Sequence, residues 1–114
     1  MLVVEDDPEL RELFREALSA NRYRVSVASD GLAALQVIDQ AEPDVVVLDL
    51  GLPRVSGWDV YRELRSRPTT ADPLIVVVTA NEPLDIRPQD VAAFLQKPVD
   101  PLVLVDTVAA VLRR

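Results

Sequence analysis

Four polar features in this chain each follow a short apolar run, and together they describe a reaction site. Glu5-Asp6-Asp7 comes after Leu2-Val3-Val4, and Asp49 comes after Val45-Val46-Val47-Leu48. Thr79 follows Leu74-Ile75-Val76-Val77-Val78, and Lys97 follows Val91-Ala92-Ala93-Phe94-Leu95. Asp49 is ionised near neutrality, so it can act as an oxygen nucleophile without a partner base. Carboxylates gathered around it would repel one another, and a divalent cation relieves that repulsion. Oxygen-only ligands suit magnesium (Mg2+), which accepts one or two carboxylates and keeps several waters. Thr79 and Lys97 supply a hydroxyl donor and a positive charge for an oxyanion beyond Asp49. Carboxylate, metal, hydroxyl and ammonium are the components of a phosphoryl-transfer site. Lys97 also stands out by composition, as the one lysine among twelve basic residues. A need for a compact, flexible ammonium explains that, and so does chance in an arginine-rich chain.

Each of these residues has an ordinary reading too. Asp7, followed by Pro8, reads as a helix N-cap rather than a ligand. Ser56 reads as a cap, Thr79 as a strand terminus, and Glu5 and Asp6 as solvated acids in a loop. What the ordinary readings leave unexplained is why all the features fall at the ends of strands.

The elements that position them follow from patterning. Short β-branched runs alternate with helical periodicity, which argues for βα units and a parallel sheet. Leu10, Leu13, Phe14, Ala17 and Leu18 mark the buried stripe of a first helix. Arg24-Val25-Ser26-Val27-Ala28 alternates like an edge strand, and Asp30-Gly31 opens a second helix carrying Leu35 and Ile38. Val45 to Leu48 is apolar on both faces, as a central parallel strand should be. Ser56 and Asp59 form a capping-box-like start to a third helix, with Val60, Tyr61 and Leu64 inward. Asp100-Pro101 begins the last helix, with Leu102, Val105, Val108, Ala109 and Leu112 expected to face inward. Between the fourth and fifth strands, Asn81 to Asp90 contains Pro83 and Pro88, so a shortened or irregular fourth helix is expected there. The expected fold is one α/β domain over residues 1–114, a (βα)5 flavodoxin-like three-layer sandwich with parallel strand order 2-1-3-4-5. In that order the strands bearing the polar features are contiguous, and their carboxyl ends form one edge, where open α/β sheets bind ligands.

Composition removes several alternatives. A chain of 114 residues, 49% hydrophobic and 27% charged, is one globular domain. No apolar run is long enough to span a bilayer, and the N-terminus lacks the pattern of a signal peptide, so a cytoplasmic domain without membrane contact is expected. With no cysteine or histidine, thiolate metal sites and Ser-His-Asp catalysis are excluded on this chain. A formal net charge of −7 argues against direct nucleic-acid binding.

Four stretches, in this order and spacing, resemble the response-regulator receiver domain of two-component signalling across the whole chain. They are Val3-Val4-Glu5-Asp6-Asp7-Pro8, Val47-Leu48-Asp49 through Ser56-Gly57, Val78-Thr79-Ala80 and Lys97-Pro98. The resemblance implies that Asp49 accepts a phosphoryl group from a sensor histidine kinase or phosphotransfer protein. It further implies that Asp6, Asp49 and the backbone carbonyl of Gly51 bind Mg2+ directly, and Glu5 through water. Lys97 would contact the phosphoryl oxygens, and Thr79 would hydrogen-bond them after transfer. Phe94 would be the switch aromatic, against the plain alternative of a core side chain. The Lys97-Pro98 peptide would be cis, which proline permits.

Where the chain departs from the family, other expectations loosen. The short, proline-interrupted segment 81–90 leaves the usual dimer or output face in doubt, and with it the oligomeric state. The chain reads either as a stand-alone receiver or as a piece of a longer regulator with an effector domain or output protein. Two function classes compete. One is a phosphoacceptor that catalyses only its own phosphorylation and dephosphorylation; the other is a receiver-like adaptor that docks partners independently of phosphate. A true aspartate-nucleophile hydrolase needs a second acid just after the nucleophile, and Leu50-Gly51 offers none. A nucleotide-binding domain would need a glycine-rich loop after the first strand.

Overall fold

The computed structural model describes residues 1–52, 55–66, 73–80 and 91–113. Strands β1 (Leu2–Val4), β2 (Ser26–Ala28), β3 (Val45–Asp49), β4 (Leu74–Thr79) and β5 (Ala93–Gln96) form one sheet. All its neighbouring pairs are parallel and the order is β2-β1-β3-β4-β5. Helices α1 (Pro8–Ala20), α2 (Gly31–Ala41), α3 (Gly57–Ser66) and α4 (Pro101–Leu112) cover it.

The three layers follow from strand alternation. Leu2, Val4, Val46, Leu48, Ile75 and Val77 point to one face, where Ala34 and Ile38 of α2 and Val60 and Leu64 of α3 meet them. Val3, Val45, Val47, Val76 and Val78 point to the other, against Phe14 and Leu18 of α1 and Leu104, Val108 and Val111 of α4. Strand β3 is buried along its whole length, as its unbroken apolar pattern requires. Phe14 is only 1% exposed between the sheet and α4. Phe14→Ala is expected to destabilise the fold by about 3–5 kcal/mol, read by urea denaturation. A loss under about 1 kcal/mol would mean that the site collapses around the smaller side chain.

Helix starts match the capping chemistry. Asp7, Asp30 and Asp100 each accept backbone N–H bonds from the first turn of α1, α2 and α4. At α3, the Asp59 N–H donates to Ser56 Oγ at 3.2 Å, and that hydroxyl donates to Asp59 Oδ2 at 3.1 Å.

The structure corrects several boundaries and faces. β5 runs from Ala93 to Gln96 rather than from Val91 to Leu95, and β2 begins at Ser26 rather than Arg24. Leu13 is 50% exposed and Leu102 68%, and Leu112 is exposed as well; Leu104 and Val111 take the inward positions on α4. On α4 the run Leu102-Val103-Leu104-Val105 offers four apolar side chains, of which only Leu104 and Val105 are buried; Asp106, one turn after Leu102 and exposed like it, marks the solvent face. The expected short fourth helix at 81–90 lies outside the described residues.

Candidate functional site

β1 delivers the acidic turn. The Glu5 N–H continues the strand pairing by donating to the Ala28 carbonyl at 3.0 Å. The Glu5 side chain then folds inward and is 1% exposed, although a glutamate is rarely buried unless paired. Its Oε2 accepts the Asp7 N–H at 3.1 Å, and its Oε1 lies 2.7 Å from Lys97 Nζ. Asp6 between them stays exposed, and Asp7 turns away to cap α1.

β3 delivers Asp49, its last residue, with a buried carboxylate. Oδ1 accepts the Gly51 N–H at 2.9 Å, and Oδ2 receives the Lys97 ammonium at 3.1 Å. Lys97 follows β5 directly; its N–H donates to the Thr79 carbonyl at 2.8 Å, which ties the ends of β4 and β5 together. The Lys97–Pro98 peptide is cis. Thr79 ends β4 and is buried. Glu5, Asp6, Asp49, Thr79 and Lys97 therefore lie along the carboxyl edge of contiguous strands, as the strand order predicts.

Phe94 is different. At 37% exposed it is no core aromatic. It pairs with Val77, two residues before Thr79, so strand alternation places it on the same sheet face as Thr79.

The electrostatics are those of a crowded acidic site around one cation. Burial pushes the Glu5 carboxyl above its ordinary value, and nearby Asp6 and Asp49 add to the rise. Lys97 and the Asp7 N–H oppose it without cancelling it. Burial alone would lower the Lys97 ammonium, but Glu5 and Asp49 outweigh it and hold its pKa above the usual lysine value. One oxygen from each of Glu5, Asp6 and Asp49 lies within 4.8 Å of the other two. That separation suits a single hard cation bridged by carboxylates, so the donor set fits Mg2+.

Arg11, on the second turn of α1, is a site neighbour that the sequence did not reveal. Its Nη1 donates to the Glu5 carbonyl at 3.1 Å and braces the acidic turn from outside. The two are six positions apart in the chain, a spacing with no motif attached to it.

The fold and this edge define a class, and comparison with known proteins agrees. Residues 1–109 match the response regulator receiver domain family. The chain is 42% identical to the response regulator MprA of Mycobacterium sp. strain KMS over 119 residues, and 40% identical to that of Mycobacterium leprae. All of this chain is covered in both alignments, against 50% and 51% of those proteins. It thus spans about half the length of the curated relatives it matches. Among solved structures, the response regulator TrrA from Thermotoga maritima, in complex with Mg2+-BeF, superimposes with a TM-score of 0.83 at 29% identity over 96% of both chains. The chemotaxis response regulator CheY4 of Vibrio cholerae gives 0.84 at 25% identity, covering 96% of this chain and 95% of that one. The chain belongs to the receiver-domain family of response regulators. Among the described residues, no helix is long and apolar enough to cross a membrane.

Proposed function

We propose that Asp49 is the phosphoacceptor of this receiver, with Glu5, Asp6, Thr79 and Lys97 completing the site. The observation that carries the reading is the Lys97 ammonium held between Glu5 and Asp49, at 2.7 and 3.1 Å, beside the acidic triad. The donor is a phosphohistidine on a sensor kinase or phosphotransfer protein. A carboxylate oxygen of Asp49 forms the new P–O bond while the P–N bond breaks, and its electron pair returns to the donor imidazole. Asp6, Asp49 and the Gly51 carbonyl would hold Mg2+, with Glu5 acting through water; when bound, the ion offsets negative charge on the transferring oxygens. Lys97 can exchange its contact with Asp49 for one with the phosphoryl group, because its stem is flexible. Its second carboxylate partner, Glu5, keeps the ammonium at the site during that exchange.

Transfer adds roughly 1.5 to 2 negative charges beside Thr79. Thr79 would turn its hydroxyl toward the new oxygens, and Phe94, on the same face, would move into the space left. The phosphoryl group shifts the balance between two packings only by its difference in interaction with them. The output surface read by an effector domain or output protein is then the Phe94 face.

The test is intact mass after incubation with acetyl phosphate, with and without Mg2+, followed by peptide mapping. A magnesium-dependent gain of one phosphoryl group on the peptide containing Asp49 is expected. No gain, under conditions where Trp58 fluorescence reports Mg2+ binding, would overturn the reading and leave phosphate-independent docking in its place.

A further inference from the structure

The chain contains three glycines, Gly31, Gly51 and Gly57. None of them has a positive φ. Left-handed backbone does occur, at Arg22 with φ 71° and at Glu42 with φ 44°, and side chains are tolerated there. Glycine is thus not spent on conformational freedom in this protein. All three instead surround the loop that leaves Asp49. Gly51 donates its N–H to the Asp49 carboxylate. At Gly57 a Cβ would lie 2.1 Å from the Asp49 carbonyl oxygen and 2.5 Å from Leu50 Cα. At Gly31, the first residue of α2, a Cβ would lie 1.9 Å from the Val55 carbonyl oxygen and 2.7 Å from its carbon. Those neighbours are backbone atoms, which cannot swing aside as a flexible side chain would.

The two described ends of the acceptor loop, at Leu50 and at Val55, are therefore each seated against a helix start. Gly57 lets α3 close against its root at Asp49 and Leu50. Gly31 lets α2 close against its far end at Val55. Gly51, whose N–H orients the Asp49 carboxylate, lies between these two contacts along the chain.

We infer that Gly31, although absent from the acidic site itself, is a positioning residue for the phosphoacceptor loop. It lets the start of α2 fix Val55 and, two residues further on, the seat of Gly57 against the Asp49 carbonyl and Leu50. The inference rests on the phosphoacceptor reading and adds to it a residue on a helix that contributes no site group. A side chain at position 31 must push Val55 outward. A displacement of about an ångström away from the chemistry can slow a reaction by up to about 10²-fold.

The experiment compares Gly31→Ala with Ile38→Val, a substitution further along the same helix in the core, in the full 114-residue chain. Mg2+ affinity and the rate of phosphoryl uptake from acetyl phosphate are measured well below each melting temperature. For Gly31→Ala, Mg2+ binding is expected to weaken about tenfold and uptake to slow at least tenfold. Ile38→Val should lower the melting temperature and leave both unchanged. Values for Gly31→Ala within about twofold of the unsubstituted chain would overturn the inference, as would equal losses in Ile38→Val. Should Gly31→Ala fail to fold, amide exchange on the unsubstituted chain decides. Slowed exchange at residues 31–34 on adding Mg2+ supports a helix and loop that move as one body. Slowing confined to the loop overturns it. An unsubstituted chain that takes up no phosphoryl group overturns the phosphoacceptor reading itself, and this inference falls with it.

Discussion

Asp49→Asn is expected to take up no phosphoryl group from acetyl phosphate while unfolding within about 1 kcal/mol of the unsubstituted chain. The first part follows from chemistry, because an amide oxygen is not a nucleophile of carboxylate strength and no second carboxylate ends β3. The second part follows from three local changes whose signs differ. The asparagine Oδ1 can still accept the Gly51 N–H now 2.9 Å from Asp49. The 3.1 Å pairing with Lys97 is lost, but Lys97 retains Glu5 at 2.7 Å. Removing one of three crowded acids also relieves repulsion, so the net change is small. Mg2+ affinity should fall, since the triad loses a charged oxygen. Intact mass reads the uptake and urea denaturation the stability. Uptake at the unsubstituted rate would assign the acceptor elsewhere. Destabilisation by about 3 kcal/mol or more would mean that the pairing with Lys97 dominates the fold.

The place of these side chains in the fold was largely legible in the residues, for a physical reason. Asp49, Thr79 and Lys97 follow apolar runs, and in a parallel sheet the end of a strand fixes the location of whatever follows it. Glu5 and Asp6 were legible in the same way. Asp7 was legible as the helix cap, because Pro8 follows it, but nothing in the order Glu5-Asp6 shows which of those two acids turns inward and which stays in water. The structure assigns these roles by the length of the Glu5 side chain, which spans from β1 to Lys97 at the end of β5. The phase of α4 was obscured because Leu, Val and Ala occur on most of its sides, with Asp106, one turn after Leu102, as its one charged marker. The start of β5 was misplaced because Val91 and Ala92 are as apolar as the strand they precede. The contacts at Gly31 and Gly57 were hidden for another reason. Glycine reads by default as a turn residue, and only the packing shows that these two serve close approach. The scarcity of glycine in the chain was the available clue.

Lys97→Ala should have the larger effect on the fold, about 3 kcal/mol of destabilisation, because it leaves two buried carboxylates without their cation. The Glu5 and Asp49 side chains are 2% and 7% exposed, so solvent screens them poorly. The Lys97 side chain is itself 22% exposed, which places the effect at the low end for a broken buried pair. The deficit should depend on pH. Burial already raises the Glu5 carboxyl above its ordinary value, and removing the ammonium raises it further. Below that raised value the folded chain binds a proton which the unfolded chain, until its own ordinary value is reached, does not. The deficit therefore shrinks as pH falls from neutrality toward the ordinary glutamate range, and it is complete above the raised value. Mg2+ should reduce it as well, since the cation supplies the missing charge to the same oxygens. At a hundredfold excess over its dissociation constant, the ion stabilises any folded chain that binds it by about 2.7 kcal/mol. In Lys97→Ala no ammonium competes for Glu5 and Asp49, so at equal Mg2+ the gain should exceed that of the unsubstituted chain. Lys97→Met, which keeps most of the apolar stem, separates charge from packing. If the methionine variant is as stable as the unsubstituted chain without Mg2+, the stem rather than the ammonium holds this edge together. If it falls with the alanine variant and both recover with Mg2+, Lys97 acts in the resting protein as the counter-ion of an acidic site built for a metal.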